Sequence, residues 1–327
     1  MMQEQKQIST LPGVFATLAA GFDLIAKHLW LLLIPVILDV FYWLGPRLRF
    51  QELIRGMLAL LPEEADLLDV GSQLAELAPR TNLFTTLSVQ LIGVPALMVG
   101  QVPEKTPLTP PVFEVSSWLN WIGLFTAFSL IGLFLTALLY TLVAYALSRD
   151  SHHSSPIILS YWAKRVGKSW IRLIGLVIIF FIIMMAIYIP LIVISTLLFL
   201  INSTLGTLFI LAGPLILVWI AIFFFLAPFG IVLNNRPVLK ALYESFRLVQ
   251  ANLASALLML IAILLAGTVL DWILFAVENG TWLTFINILG HAFVSTSFIA
   301  ALFIYYRDRY TSLFDPEKNT AQSAAAS

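Results

Sequence analysis

Residues 171–201 read IRLIGLVIIFFIIMMAIYIPLIVISTLLFLI, and after Arg172 no Asp, Glu, Lys or Arg occurs until Arg236. A bilayer core about 30 Å thick takes roughly 20 apolar residues as an α-helix, and this run exceeds that length. Its β-branched stretch, 178–185, would signal a strand in water. In hydrocarbon, however, each backbone N–H and C=O must be bonded within its own segment, so the run is read as helix.

Working outward, five more stretches have the length and apolarity of a span: 28–45, 118–147, 205–232, 253–277 and 283–306. The expected fold is all-α, a polytopic transmembrane helical bundle of six spans. Composition agrees. The chain has 327 residues, 60% hydrophobic and 11% charged, against about 25% charged in a soluble domain, and its mean hydropathy is +0.94. The net charge is zero, so no field draws in nucleic acid. The absence of cysteine excludes disulfides, thiolate chemistry, cysteine-ligated metals and S-acylation. Residues 1–10 are polar, and the first apolar run is followed by Gly45-Pro46-Arg47 rather than a small-residue cleavage site, so it is read as a retained helix.

Short loops rich in Lys and Arg stay cytoplasmic. Arg149, Lys164, Arg165, Lys168 and Arg172 precede the third span, Arg236, Lys240 and Arg247 the fifth, and Arg307 and Arg309 close the sixth. With six spans all three groups share one side with Lys6 and Lys27, which places both termini in the cytoplasm of a bacterial cell. The division is a cytoplasmic segment with an interfacial helix (1–27), a first span (28–45), an external insertion (46–116), a bundle of five spans (117–314) and a disordered cytoplasmic tail (315–327). Within the insertion, 51–76 carries Glu52, Glu63, Glu64, Asp66, Asp69 and Glu76 and is expected to form an external cap of amphipathic helices. Residues 83–100 hold Thr85, Thr86, Ser88, Gln90 and Pro95; they lie in the outer interface or dip in re-entrantly, and a seventh span follows if they cross.

A weak repeat organises the chain. Leu18, Phe22, Leu24 and Ile25 before His28 match Leu242, Phe246, Leu248 and Val249 before Asn252, while 161–172 matches only through Trp162 and Val166. Leu239, Leu242, Phe246 and Val249 form an apolar stripe, with Lys240, Glu244 and Arg247 off it, as in a helix lying in the headgroup plane. The expected unit is an interfacial helix feeding a transmembrane hairpin, present three times.

The sequence Ala241-Leu242-Tyr243-Glu244-Ser245-Phe246-Arg247-Leu248-Val249, with the hairpin organisation around it, resembles the membrane domain of bacterial glycerophosphodiester phosphodiesterases and related stand-alone membrane proteins. The resemblance covers mainly 160–309. It implies a six-helix bundle with cytoplasmic amphipathic helices, without phosphodiesterase activity, which belongs to a separate soluble domain for which this chain has no room. The external insertion departs from the pattern.

Ionisable groups inside the membrane are the first candidates for function, since a charge there costs at least ~2.5 kcal/mol. Asp39 lies in the first span. His291 lies in the sixth, on one face with Asn287 and Ser295 at spacings of four. Asp39 and His291 either pair as a proton relay or polar-solute site, or hydrogen-bond neighbouring helices. The structural role is preferred, because one Asp and one His make a thin proton path. Asp271, beside Trp272, reads as solvated. Pro35, Pro190, Pro214 and Pro228 are candidate helix breaks, with Gly213-Pro214 and Pro228-Phe229-Gly230 foremost. Lys164, Arg165, Lys168, Arg172, Arg236, Lys240 and Arg247 are candidate contacts to anionic lipid head groups, or plain positive-inside anchors. His152-His153 lacks the carboxylates of a metal site beyond Asp150. No nucleophile elbow, zinc-protease helix, phosphate loop or dinucleotide fingerprint occurs. The expected role is therefore non-catalytic: scaffolding, assembly or envelope maintenance in contact with membrane lipids or other membrane proteins, without cofactor, metal or nucleic acid. A permease or permease subunit ranks second and a lipid-modifying enzyme third.

Overall fold

A computed structural model describes residues 11–60, 78, 81–88, 92–99, 106–149, 159–275 and 281–314. The chain is an all-α, multi-pass membrane protein. Its contacts divide it into one unit of Met1–Gly21, Ser155–Ala262 and Ala300–Ser327 and a second of Phe22–Ser154 and Ile263–Ile299. Among the described residues, five helices are long and apolar enough to cross a membrane, and a bent pair supplies a sixth if counted as one span.

The bend falls at the boundary expected between the helix within 1–27 and the first span, 28–45. Helix α1 (Val14–Lys27) ends where His28 leaves helical geometry (φ −130°, ψ 52°), its ring Nδ1 lying 3.0 Å from the Leu24 carbonyl. A 3₁₀ turn (Leu29–Leu32) and α2 (Leu33–Leu44) then run off at 92°. At the rises of the two helix types they cover only ~26 Å, short of a full hydrocarbon core.

In the second unit the insertion after the first span differs from the expected all-helical cap. Strands β1 (Arg47–Arg49) and β2 (Val112–Glu114) pair in parallel. Helix α3 (Gln51–Leu58) is capped from β2, the Glu114 carboxylate accepting the Glu52 N–H at 2.9 Å, which places negative charge at a helix N-terminus. Residues 83–100 show two 3₁₀ turns, Leu83–Leu87 and Leu97–Val99, and no α-helix among their described members. Glu63, Glu64, Asp66, Asp69, Glu76 and the tail 315–327 lie outside the described residues. Helix α4 (Trp118–Arg149) is the second expected span.

In the first unit, α5 (Leu159–Ile201) runs through 161–172 without interruption. The separate interfacial helix expected there is instead the first turns of a 43-residue rod, ~65 Å long. No breaker separates the amphipathic stretch from the apolar one, and Pro190 is accommodated inside the helix. Helix α6 (Ser203–Phe224) likewise contains Pro214. Pro228 does mark a break: α7 (Ala227–Leu233) starts afresh with Pro near its N-terminus. Helix α8 (Val238–Ala251) follows the extended Pro237. It buries Ala241, Leu242, Ser245, Leu248 and Val249, while Leu239 and Phe246 from the expected stripe are exposed. Glu244, expected to face away, is buried at 3% exposure; its pairing with Arg236, 3.2 Å away, accounts for the rotation. Helices α9 (Leu253–Phe275) and α10 (Thr284–Phe314) complete the set.

Candidate functional site

Among the described residues two polar clusters stand out, one in each unit. In the second unit it is built on α2. Asp39 is completely buried, and both carboxylate oxygens accept backbone N–H groups from the 94–99 segment: Leu97 to Oδ2 at 2.9 Å and Met98 to Oδ1 at 2.8 Å. The carboxyl group thus caps a short turn from another part of the chain. Tyr42, three residues on and on the same face of α2, places its hydroxyl 3.1 Å from Ser88 Oγ. On the far side, the backbone of Leu87 lies so close to Gly132, in the middle of α4, that any Cβ there would collide with the Leu87 carbonyl. Phe84 sits between Phe41 and Phe128, with ring centroids 5.1 and 4.9 Å away. The 83–87 turn is therefore packed between α2 and the middle of α4, while the 97–99 turn is held to α2 by Asp39. Asp39 satisfies two polar groups of the 94–99 backbone, the Leu97 and Met98 N–H groups.

His291 on α10 places Nδ1 4.0 Å from Asp39 Oδ2, beyond hydrogen-bonding distance, and Nε2 3.2 Å from Ser295 Oγ and 3.9 Å from Asp271 Oδ1. Its Nδ1 is buried without a hydrogen-bond partner. Asn287, one turn away, donates to the Leu274 carbonyl at 2.9 Å. Of the four residues singled out from sequence, Asp39, His291 and Ser295 come together, and Asn287 ties α10 to α9. Asp271, read as merely solvated, has a half-exposed side chain (48%) and stands at the open end of a carboxylate–imidazole–carboxylate file. Beyond Asp39 that file meets N–H groups, which cannot accept a proton. Tyr42, Ser88 and Gly132 were not singled out, although the i, i+3 spacing of Asp39 and Tyr42 marks a shared face.

The first unit carries the basic cluster. Lys164, Arg165 and Lys168 on α5, with Leu233, Asn234 and Asn235, line a recess of about 350 Å³. Arg165 Nη2 donates to the Val232 and Leu233 carbonyls (3.2 and 3.3 Å), the open C-terminal end of α7. Arg172 Nη1 donates to the backbone oxygen of Asn235 (2.6 Å) and to its Oδ1 (2.5 Å). Asn235 has φ 51°, a left-handed geometry that asparagine tolerates better than most residues. It closes a turn in which the Arg236 N–H returns to the Gly230 carbonyl. Lys164 and Lys168 are exposed at the mouth.

The remaining cations have other surroundings. Arg236 pairs with Glu244, bonds the Tyr310 hydroxyl and lies over that ring. Burial pushes the Glu244 carboxyl above its ordinary range, against the pull of Arg236 and Lys240. Lys240 and Arg247 are exposed on α8. Arg309, not singled out from sequence, is buried against the Tyr305 ring and donates to the Pro12 carbonyl at 3.1 Å. Among the described residues no group of three His, Asp or Glu is placed to hold a metal, and His152-His153 lies outside them. No protein-family model, curated protein or solved structure matches the chain.

Proposed function

We propose that this chain is a non-catalytic scaffold or assembly protein of a bacterial cytoplasmic membrane, with both termini in the cytoplasm, engaging lipids or partner membrane proteins rather than moving a solute. The observation that carries this reading is the engagement of Asp39: the buried acid of the second unit is fully used in holding the 94–99 backbone. Conduction would need a group that releases what it binds. The lateral surface of α5, where Ile178, Phe181, Ile182, Ile192 and Leu197 are exposed, offers a wide apolar face to lipid or to other helices. The resemblance carried by 241–249 fits a membrane domain of this kind without its soluble partner's chemistry.

A permease is the second reading, favoured by the Asp271–His291–Asp39 file running from a half-exposed to a buried carboxylate. One experiment separates the two. Protein reconstituted into liposomes containing a pH-sensitive dye is expected to dissipate an imposed pH gradient no faster than empty liposomes do. Asp39→Asn and His291→Ala are expected to leave that rate unchanged while lowering thermal stability. A proton flux that Asp39→Asn abolishes would establish the permease instead.

A further inference from the structure

We propose that the recess between the first turns of α5 and the Leu233–Asn235 turn is a binding site for a phosphate-bearing group, supplied by a lipid head group or by a free phosphate compound. The inference deepens the lipid engagement proposed above and rests on that reading only where the source is a lipid.

Three cations line the recess and Arg172 adjoins it through Asn235, and among the described residues no carboxylate lines it. Among the described residues the hydrogen bonds of Arg165 and Arg172 go to neutral acceptors: the Val232 and Leu233 carbonyls, and the two oxygens of Asn235. The residues lining the recess include no acid. The contrast with nearby Arg236 is direct, since its charge is answered by Glu244 at 3.2 Å. A cluster of like charges without a counter-ion is costly to assemble, and an anion removes that cost.

The walls do not depend on a ligand for their shape. Arg165 fixes the end of α7 and Arg172 fixes Asn235, so the turn is braced against α5 from two points. Preorganisation of this kind lowers the entropy lost on binding. Lys164 and Lys168, one helical turn apart on α5, remain free of such duties at the mouth. Ammonium groups act as compact point charges suited to the tetrahedral oxygens of a phosphate.

Position supplies the ligand class. The uncharged run of α5 begins at Leu173, directly after Arg172, so the recess lies where the helix leaves the apolar layer. That is the level of head-group phosphates, where each basic residue adds attraction to anionic lipid. The volume, about 350 Å³, leaves room for a phosphate together with the group esterified to it.

The test is native mass spectrometry of the full-length protein in detergent. It is titrated separately with phosphatidylglycerol, with diacylglycerol as a phosphate-free lipid, and with inorganic phosphate alone. Wild type is compared with Lys164→Gln/Lys168→Gln and with a charge-matched control, Lys240→Gln/Arg247→Gln, all four positions being exposed. Phosphatidylglycerol is expected to be retained by wild type and control and to bind about tenfold more weakly to the Lys164/Lys168 variant. Inorganic phosphate binding that depends on the same two lysines, with lipid retention unchanged, would assign the site to a free phosphate compound and uphold the chemistry. Equal weakening in both variants, or no preference for phosphatidylglycerol over diacylglycerol with no lysine-dependent phosphate binding, would overturn it. The outcomes are distinguishable from failure of the scaffold reading. A proton flux in liposomes removes the scaffold and leaves the recess, whereas lysine-independent lipid binding does the reverse.

Discussion

Asp39 holds N–H groups that lie 58 and 59 residues away in sequence. Removing the carboxylate strands both donors in a buried place, and an unsatisfied buried donor costs about 1–3 kcal/mol. Asp39→Ala is therefore expected to cost about 3 kcal/mol and to lower the melting temperature in detergent by several degrees; Asp39→Asn, which keeps one acceptor oxygen, should cost about half as much. Glu244 gives a pH test. Its carboxyl is raised by burial, so the folded state binds this proton more tightly than the unfolded chain does. That favours folding below the ordinary carboxylate pKa and is lost as pH rises through the raised value. The melting temperature of wild type minus that of Glu244→Gln is expected to fall as pH rises above the ordinary carboxylate range; a rise would contradict it. Asp39 and His291 were legible as candidates because charge is rare in a span. Their partners were not: a backbone N–H leaves no letter in the sequence, and Gly132 looks like any other glycine in a membrane helix.

At the scale of elements, the spans were legible by length and apolarity, and so were the division at 27/28 and the break at Pro228, but the continuity of α5 through 161–172 was not. An amphipathic stretch before an apolar one reads the same whether it bends away or runs on. At His28 the chain turns by 92°, whereas at Arg172 α5 continues straight into its span. Prolines divide likewise. Pro190 and Pro214 stay inside helices, while Pro228 coincides with the start of α7. Near that break the Phe223 carbonyl, among the last four of α6 and so without an intrahelical partner, accepts the Ser245 hydroxyl from α8 at 2.8 Å. Ser245→Ala should leave it unsatisfied and cost about 1–2 kcal/mol, read as a lowered melting temperature. An unchanged one would mean that another donor replaces Ser245.

For the molecule as a whole, composition and the charge-free runs were enough to read an all-α multi-pass chain. The strand pair was invisible because three-residue strands carry no periodic signal and their partners lie far apart in sequence. The proposed orientation rests on the basic connectors, and the chain's lack of cysteine makes it measurable. In intact cells a membrane-impermeant maleimide is expected to modify Ser72→Cys and to leave Ser154→Cys and Ser312→Cys untouched; labelling at 154 would invert the topology. The central claim is that the buried acid serves the architecture by holding a non-helical segment against the spanning helices. The most direct measurement is the rate at which the same maleimide modifies Val94→Cys, at a site buried beside the clamped turn. The expected result is slow labelling with Asp39 present and labelling about tenfold faster or more in Asp39→Ala, the release of a contact worth a few kcal/mol. Equal rates in the two backgrounds would contradict the account.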